Sequence, residues 1–291
     1  MTPSGIAGSA RGRLAVLGTG LIGGSVGLRA RAAGYETIGI DCDRSHAESA
    51  RKRGAFDRTA EDETEVEADL LLLAIPVDAT VDRLRRYAQF PPRAGTILDV
   101  GSVKAPILRA AAGLSNFVGT HPMAGSEKSG PEAAYAELFD GRTWVYDPSA
   151  RSPHREHVLE LIEALGGRPV GIEAQEHDRI VALTSHMPLL LSVELASYLS
   201  ARLGEPGVRA LSGSGLASMT RLAGSSWEMW RSILLENAAP VAQEVRSIAT
   251  ILLGLADDLD RRDVTELAGT FELAASVSQR LAANRLPYAD R

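Results

Sequence analysis

Short apolar runs alternating with amphipathic segments fill the first half of the chain. The runs Arg13–Leu17, Thr37–Ile40, Asp69–Ala74, Thr96–Val100, Asn116–Gly119 and Thr143–Tyr146 predict strands. Helical spacing predicts helices between several of them, among them Gly24–Ala33 and Ala79–Tyr87. The run Leu70-Leu71-Leu72-Leu73 has no polar alternation, which suits a strand covered on both faces. Strands that alternate with helices predict an α/β fold of the Rossmann type, a doubly wound parallel sheet.

The pattern changes after Ile172. From Ala174 onward the periodicity is helical, and the longest such segment is Ser226–Asp260. It sets Trp230, Leu234, Val241, Val245, Ile248, Leu252, Leu255 and Leu259 on one stripe, with Pro240 placed to kink or divide it. The stripe has two readings, as the domain's own core or as part of a subunit interface. The expected organisation is a dinucleotide-binding domain over residues 1–172, with 1–12 flexible, followed by an all-helical domain over 173–291.

Composition narrows the classes. A chain of 291 residues is long enough for about two domains at ~150 residues each. An apolar fraction of 45% can build a core, and a net charge of −6 leaves no broad basic field for nucleic acid. Cys42 is the single cysteine, so no internal disulfide forms, in keeping with a reducing compartment. Met1–Gly12 lacks the apolar core of a secretory signal, and the longest apolar run, Leu70–Val77, is short for a membrane span. A cytoplasmic protein with no membrane partner is expected.

Gly18-Thr19-Gly20-Leu21-Ile22-Gly23 matches G-x-G-x-x-G between an apolar strand and a helix. Gly18 would permit the tight turn, Gly20 the approach of a pyrophosphate, and Gly23 the close packing of helix on strand. The amides of Leu21 and Ile22 would face the phosphates. Asp41 follows at the end of the second strand, where it can accept from ribose hydroxyls and repel a 2′-phosphate, favouring NAD over NADP. Arg44 is the residue that could hold a 2′-phosphate instead, and Asp41 could alternatively serve as a helix cap.

Two more segments end at the carboxyl edge of the expected sheet. Asp99-Val100-Gly101-Ser102-Val103-Lys104 follows one strand, and Gly119-Thr120-His121-Pro122 closes the next. A histidine there is placed to face a nicotinamide and to move a proton near neutral pH. The chain has six histidines and no H-E-x-x-H spacing, so no metal site is expected. His177 and His186 are nine residues apart, half a turn out of phase on one α-helix, and His186 reads as structural.

Five blocks together resemble the prephenate/arogenate dehydrogenase family of tyrosine biosynthesis. They are GTGLIGGS at Gly18–Ser25, DVGSVK at Asp99–Lys104, GTHPMAGSEKSG at Gly119–Gly130, HDRIVALTSHMP at His177–Pro188 and TRLAGSSWEMWRSILLEN at Thr220–Asn237. The resemblance implies a Rossmann domain, a helical domain that forms a homodimer, and oxidative decarboxylation with NAD or NADP. By matched position His121 resembles the family's base for the ring hydroxyl. Ser102 resembles the serine that orients that hydroxyl and the nicotinamide. Arg221 resembles the arginine that holds a substrate carboxylate, a task suited to its planar fork of donors. Ser126 and Glu127 resemble pocket residues, Glu127 as an ionic gate opposite Arg221. Trp230 resembles a tryptophan near the site, though its spacing equally suits a core position.

Two positions depart from the family pattern. Leu189 stands where many relatives carry His or Gln, and Ala217 falls in a stretch where many carry a basic and an acidic residue before the Thr-Arg pair. Prephenate is the expected substrate. Arogenate, or an aminodeoxyprephenate of specialised metabolism, is the alternative. A non-catalytic dinucleotide sensor is the reading from a different class, and it would have no need of Ser102, His121 and Arg221 together.

Overall fold

The structure, a computed structural model, describes residues 11–126, 128–205 and 207–283. The first half runs β1 (Arg13–Leu17), α1 (Leu21–Ala32), β2 (Glu36–Ile40), α2 (Arg44–Lys52), β3 (Arg58–Ala60), β4 (Ala68–Leu73), α3 (Val77–Tyr87), β5 (Ala94–Asp99), α4 (Ala105–Ala110) and β6 (Phe117–Val118). These six strands form one parallel sheet in the order β3-β2-β1-β4-β5-β6. The order reverses beside β1, and ligands bind at the carboxyl edge of such a switch point.

Strand alternation sorts the core into two layers. Leu14, Val16, Leu70, Leu72, Leu98 and Val118 face one side and pack with Val26 and Ala30 of α1 and with Val158, Leu161 and Ile162. Ala15, Leu17, Leu71, Leu73, Ile97 and Phe117 face the other and pack with Val77, Val81 and Leu84 of α3 and Ile107 of α4. Both faces are covered, which is why Leu70–Leu73 shows no polar alternation.

A second sheet follows, built from β7 (Thr120–Pro122), β8 (Thr143–Tyr146) and, after α5 (His154–Ala164), β9 (Arg168–Gly171). It corrects the sequence reading. His121 does not close β6 but lies in its own strand, antiparallel to β8 and opposite Val145. Strands β3, β7 and β9 were not expected. Both β7 and β9 are edge strands carrying a proline, Pro122 and Pro169, which edge positions tolerate and which hides them from a strand pattern.

Every described element from Ala174 on is helical: α6 (Ala174–Val181), α7 (Met187–Ser200), α8 (Val208–Leu211), α9 (Ser214–Thr220), α10 (Trp227–Glu236), α11 (Ala238–Arg261) and α12 (Val264–Ala283). The segment Ala182–His186 between α6 and α7 is a π-helix. Ala174–Ser200 has the length and apolarity to cross a membrane, yet it buries the polar side chains of His177, Asp178, His186 and Ser192. The long segment expected over Ser226–Asp260 is divided at Asn237, and Pro240 falls in the first turn of α11, where its missing N–H costs no helical bond.

The chain falls into two compact units, Met1–Asn237 and Ala238–Arg291. In the first, Trp230 and Ile233 of α10 pack against the apolar face that α3 covers, and Arg231 pairs with Asp78 at 2.6 Å. The second comprises α11 and α12, joined through Arg262 at φ +53°. Of the segment 1–12 expected to be flexible, residues 1–10 lie outside the described residues, and the Arg11 amide donates to Gly34 at 3.1 Å.

Candidate active site

The glycine turn sits at the carboxyl ends of β1, β2 and β4. Gly18 takes φ +96°, its amide donates to the Ile40 carbonyl at 2.8 Å, and a Cβ there would stand 2.2 Å from the Ala74 carbonyl oxygen. A Cβ on Gly23 would stand 1.8 Å from the Gly18 carbonyl oxygen, so only glycine lets α1 approach the turn. Gly20 faces open space, with nothing within 4 Å of where its Cβ would be. It caps α1, of which Leu21 is the buried first residue and Ile22 the next, and no side chain caps the helix's first amides. Open space before unpaired amides is the cradle a pyrophosphate requires.

Asp41 is tied into this turn. Its Oδ2 accepts from the Thr19 amide at 2.8 Å and the Thr19 hydroxyl at 2.9 Å, and its Oδ1 accepts from the Asp43 amide at 3.0 Å. Asp43, not Asp41, caps α2 through the Ser45 amide at 2.8 Å, which removes the helix-cap alternative for Asp41. Arg44 is exposed and pairs with Glu61 at 2.7 Å.

A buried polar knot lies at the ends of β5 and β7. Asp99, wholly buried, accepts from the Thr120 amide at 2.9 Å, the Gly101 amide at 2.8 Å and the Lys104 ammonium. Lys104 Nζ also donates to the Thr120 carbonyl at 2.6 Å. Burial pulls the Lys104 ammonium below the ordinary lysine value, and the Asp99 carboxylate opposes that pull. The knot locks β7 to β5 and so fixes where His121 projects.

His121 is met by α6. Its Nδ1 lies 2.9 Å from Nε2 of buried His177, whose Nδ1 lies 2.7 Å from Asp178 Oδ1. Asp178 accepts in addition from the amides of Lys104 at 2.7 Å and Ala105 at 2.8 Å. Burial holds His121 well below the ordinary histidine value, and positive charge on His177, Lys104 or His186 would lower it further. Asn237 Nδ2 donates to the Asp178 carbonyl at 2.8 Å and lies 3.2 Å from His186 Nδ1. Trp230 meets the His186 ring edge to face at 5.7 Å, and its indole Nε1 is buried with no partner among the described residues.

The structure thus gathers His121, His177, Asp178, Lys104, Asp99, His186, Asn237 and Trp230. His177 and His186 are both buried because the wider π-turn shifts the phase that one uninterrupted α-helix would keep. Ser102 lies half-buried just past β5. Ser126 is exposed, and its Oγ accepts from the Lys128 amide at 3.2 Å. Glu127 lies outside the described residues. Arg221 opens a short 3-10 turn, exposed and in no ion pair among the described residues, and that turn is tied to α7 by the Ala223 amide on Ser192 Oγ at 3.1 Å. Leu189 is buried in α7, and Ala217 is exposed.

Sequence reasoning missed Asp99, Lys104, His177 and Asp178 as members of the site. They sat inside quoted blocks, and a charged residue amid apolar strand ends was the available signal. Among the described residues no group of three or more His, Cys, Asp or Glu side chains is arranged to hold a metal ion.

The chain matches two family models in succession. Residues 26–170 match the nucleotide-binding domain of prephenate dehydrogenase, and residues 173–273 match its dimerization domain. A prephenate dehydrogenase of Lactococcus lactis is 31% identical over 92% of this chain and 77% of the relative. A cyclohexadienyl dehydrogenase of Zymomonas mobilis is 31% identical over 77% of this chain and 80% of the relative. The fold matches the prephenate dehydrogenase of Aquifex aeolicus, solved with hydroxyphenyl propionate and NAD+, at TM-score 0.84 and 24% identity, over 92% of this chain and 98% of that one.

Proposed function

The chain belongs to the prephenate dehydrogenase family of oxidoreductases, and we propose that it converts prephenate to 4-hydroxyphenylpyruvate and CO2 while reducing NAD to NADH. The observation that carries this reading is His121, held by a buried histidine–aspartate pair next to the end of β5, on the sheet edge that also carries the glycine turn. A bound nicotinamide supplies the acceptor for the hydrogen and electron pair that leave C4 of the ring. His121 takes the proton of the C4 hydroxyl through Nε2, because Nδ1 is engaged by His177. The electrons of the departing ring carboxylate then flow through the ring to the new carbonyl, and aromatisation drives loss of CO2. Ser102 orients the hydroxyl, and Arg221 holds the side-chain carboxylate. The free indole N–H of Trp230 is a further donor, and Ser126 and Glu127 complete the pocket.

Gly18, Gly20, Leu21, Ile22 and Gly23 hold the pyrophosphate, and Asp41 selects NAD. The support is its carboxylate at the tip of β2, together with an Arg44 guanidinium engaged by Glu61 rather than held for a phosphate. Residues 1–172 form the cofactor domain and 173–291 the dimerising domain, a division supported by the limits of the two matched models. A cytoplasmic homodimer without membrane or nucleic-acid partners completes the reading.

The test is turnover of prephenate and of arogenate with NAD and with NADP, followed at the reduced-nicotinamide absorbance. Prephenate with NAD is expected to give the highest kcat/KM. Arogenate is the second reading, kept open by Leu189 and Ala217, which stand where many relatives carry polar residues. Preference for arogenate would establish it, and no turnover of either would sink both.

A further inference from the structure

Donor and acceptor counting along the chain from Asp178 to His121 fixes more than the position of the base. Asp178 Oδ1 accepts from the Lys104 amide at 2.7 Å, and Oδ2 accepts from the Ala105 amide at 2.8 Å. A backbone amide can only donate, so both oxygens are held as acceptors. His177 Nδ1, 2.7 Å from Oδ1, must therefore carry a proton. A neutral His177 then has a bare Nε2, which can only accept. The group facing it at 2.9 Å is His121 Nδ1, which must donate. The His121 proton is thereby placed on Nδ1, and Nε2 is left with its lone pair.

We infer that His177 and Asp178 are positioning residues that lock His121 in the single tautomer able to accept the substrate's hydroxyl proton. Asp178 does not receive the proton. It holds His177, and His177 holds the ring of His121 nearly perpendicular to its own, at 77° with centroids 5.1 Å apart. The two amides that anchor Asp178 come from residues 104 and 105, directly after the β5 turn that carries Ser102. One carboxylate therefore ties the start of α4 to α6, and through His177 to β7. The lock is costly to leave half-made, since His177 and Asp178 are 1% and 3% exposed and an orphaned ring nitrogen there has no water to turn to.

This inference rests on the proposed role of His121 as the base, and its test separates the two. The ring nitrogens of the 15N-histidine-labelled protein are read by long-range 1H–15N correlation, with His121 assigned by loss of its signals in His121→Asn. The expected wild-type pattern is a protonated Nδ1 and a bare Nε2 on His121 at neutral pH. In His177→Phe the acceptor is gone, and the proton is expected to move to Nε2. That variant is expected to lose on the order of 10²–10³ in kcat with KM for prephenate changed by less than about threefold, as for uniform binding left intact. His177→Gln, whose amide oxygen can replace Nε2 as acceptor, is expected to recover kcat to within about tenfold of wild type. A wild-type His121 protonated on Nε2 overturns the inference, whether or not either variant folds. So does a His177→Phe enzyme with native melting behaviour and undiminished kcat. If the wild type turns over neither prephenate nor arogenate, the functional reading falls, while the nitrogen spectrum still decides the tautomer.

Discussion

At the scale of single residues, burial and pairing set the chemistry. Burial disfavours the charged form of His121, and positive charge on His177, Lys104 or His186 would disfavour it further. A lowered pKa keeps the proposed base unprotonated to lower pH, so kcat/KM should stay level on acidification past the usual histidine range and fall only below it. His121→Asn should lower kcat and kcat/KM by similar factors, on the order of 10²–10⁴, and abolish that acidic limb. A variant that keeps both rate and limb would show that another group is the base. Arg221 should act in ground and transition states alike, because the side-chain carboxylate it would hold does not leave. Arg221→Ala should raise KM for substrate by the equivalent of about 2–5 kcal/mol if the pair is desolvated, with NAD affinity unchanged in a fluorescence titration. A mainly kcat effect would reassign it. His121 and Arg221 stand out in the sequence because each lies in a block that resembles the family. The His177–Asp178 support was not, because His121 and His177 are 56 residues apart and meet only in the fold.

At the scale of elements, the six strands of the main sheet were legible wherever they are long and apolar, and the glycine turn where strand meets helix. Strands β7 and β9 were hidden by Pro122 and Pro169, and the phase of His186 by the π-turn before α7. A local period cannot register either feature, since edge pairing and an extra residue per turn are set by neighbours. Asp41 also does more than its motif says. By holding the Thr19 amide and hydroxyl it braces the turn that Gly18 and Gly20 shape. The wild type should therefore prefer NAD over NADP in kcat/KM, and Asp41→Ser should do two things at once. It should narrow that preference and weaken NAD binding itself, as measured by titration. A wild-type preference for NADP would move selectivity to Arg44, and Asp41→Ser with unchanged NAD affinity would show that the brace is dispensable.

At the scale of the whole molecule, two features set the conditions under which the fold persists. The first is buried histidine. His186 is 1% exposed, and burial carries its pKa down to about 4, with Asp178 opposing. The folded state therefore binds its proton less readily than the unfolded chain, whose histidine titrates near 6.5. Stability from this group is complete above that value and is lost as pH falls toward about 4, on the order of 1 kcal/mol per pH unit. Thermal melts should decline across that window, and His186→Asn should flatten the decline. The second feature is uncovered apolar surface. On α11 and α12, Leu253 is 72% exposed, Phe271 75% and Leu273 68%, and Leu252 and Leu259 of the expected stripe are 51% and 57% exposed. Leu252 and Leu259 are thus not buried within that unit, while Val241 is, and the two exposed positions are what the proposed subunit interface would cover. Apolar side chains in such number are an aggregation liability on a free monomer, whereas a twofold pairing buries the same patch on both copies. Light scattering at micromolar concentration should give about twice the 30.9 kDa of one chain. Leu253→Glu with Phe271→Glu should shift the mass toward one chain or into aggregates, since a charge at the centre of an apolar contact is left unpaired. A wild type that stays at the mass of a single chain over that range would remove the homodimer from the proposal and leave the exposed stripe to some other partner.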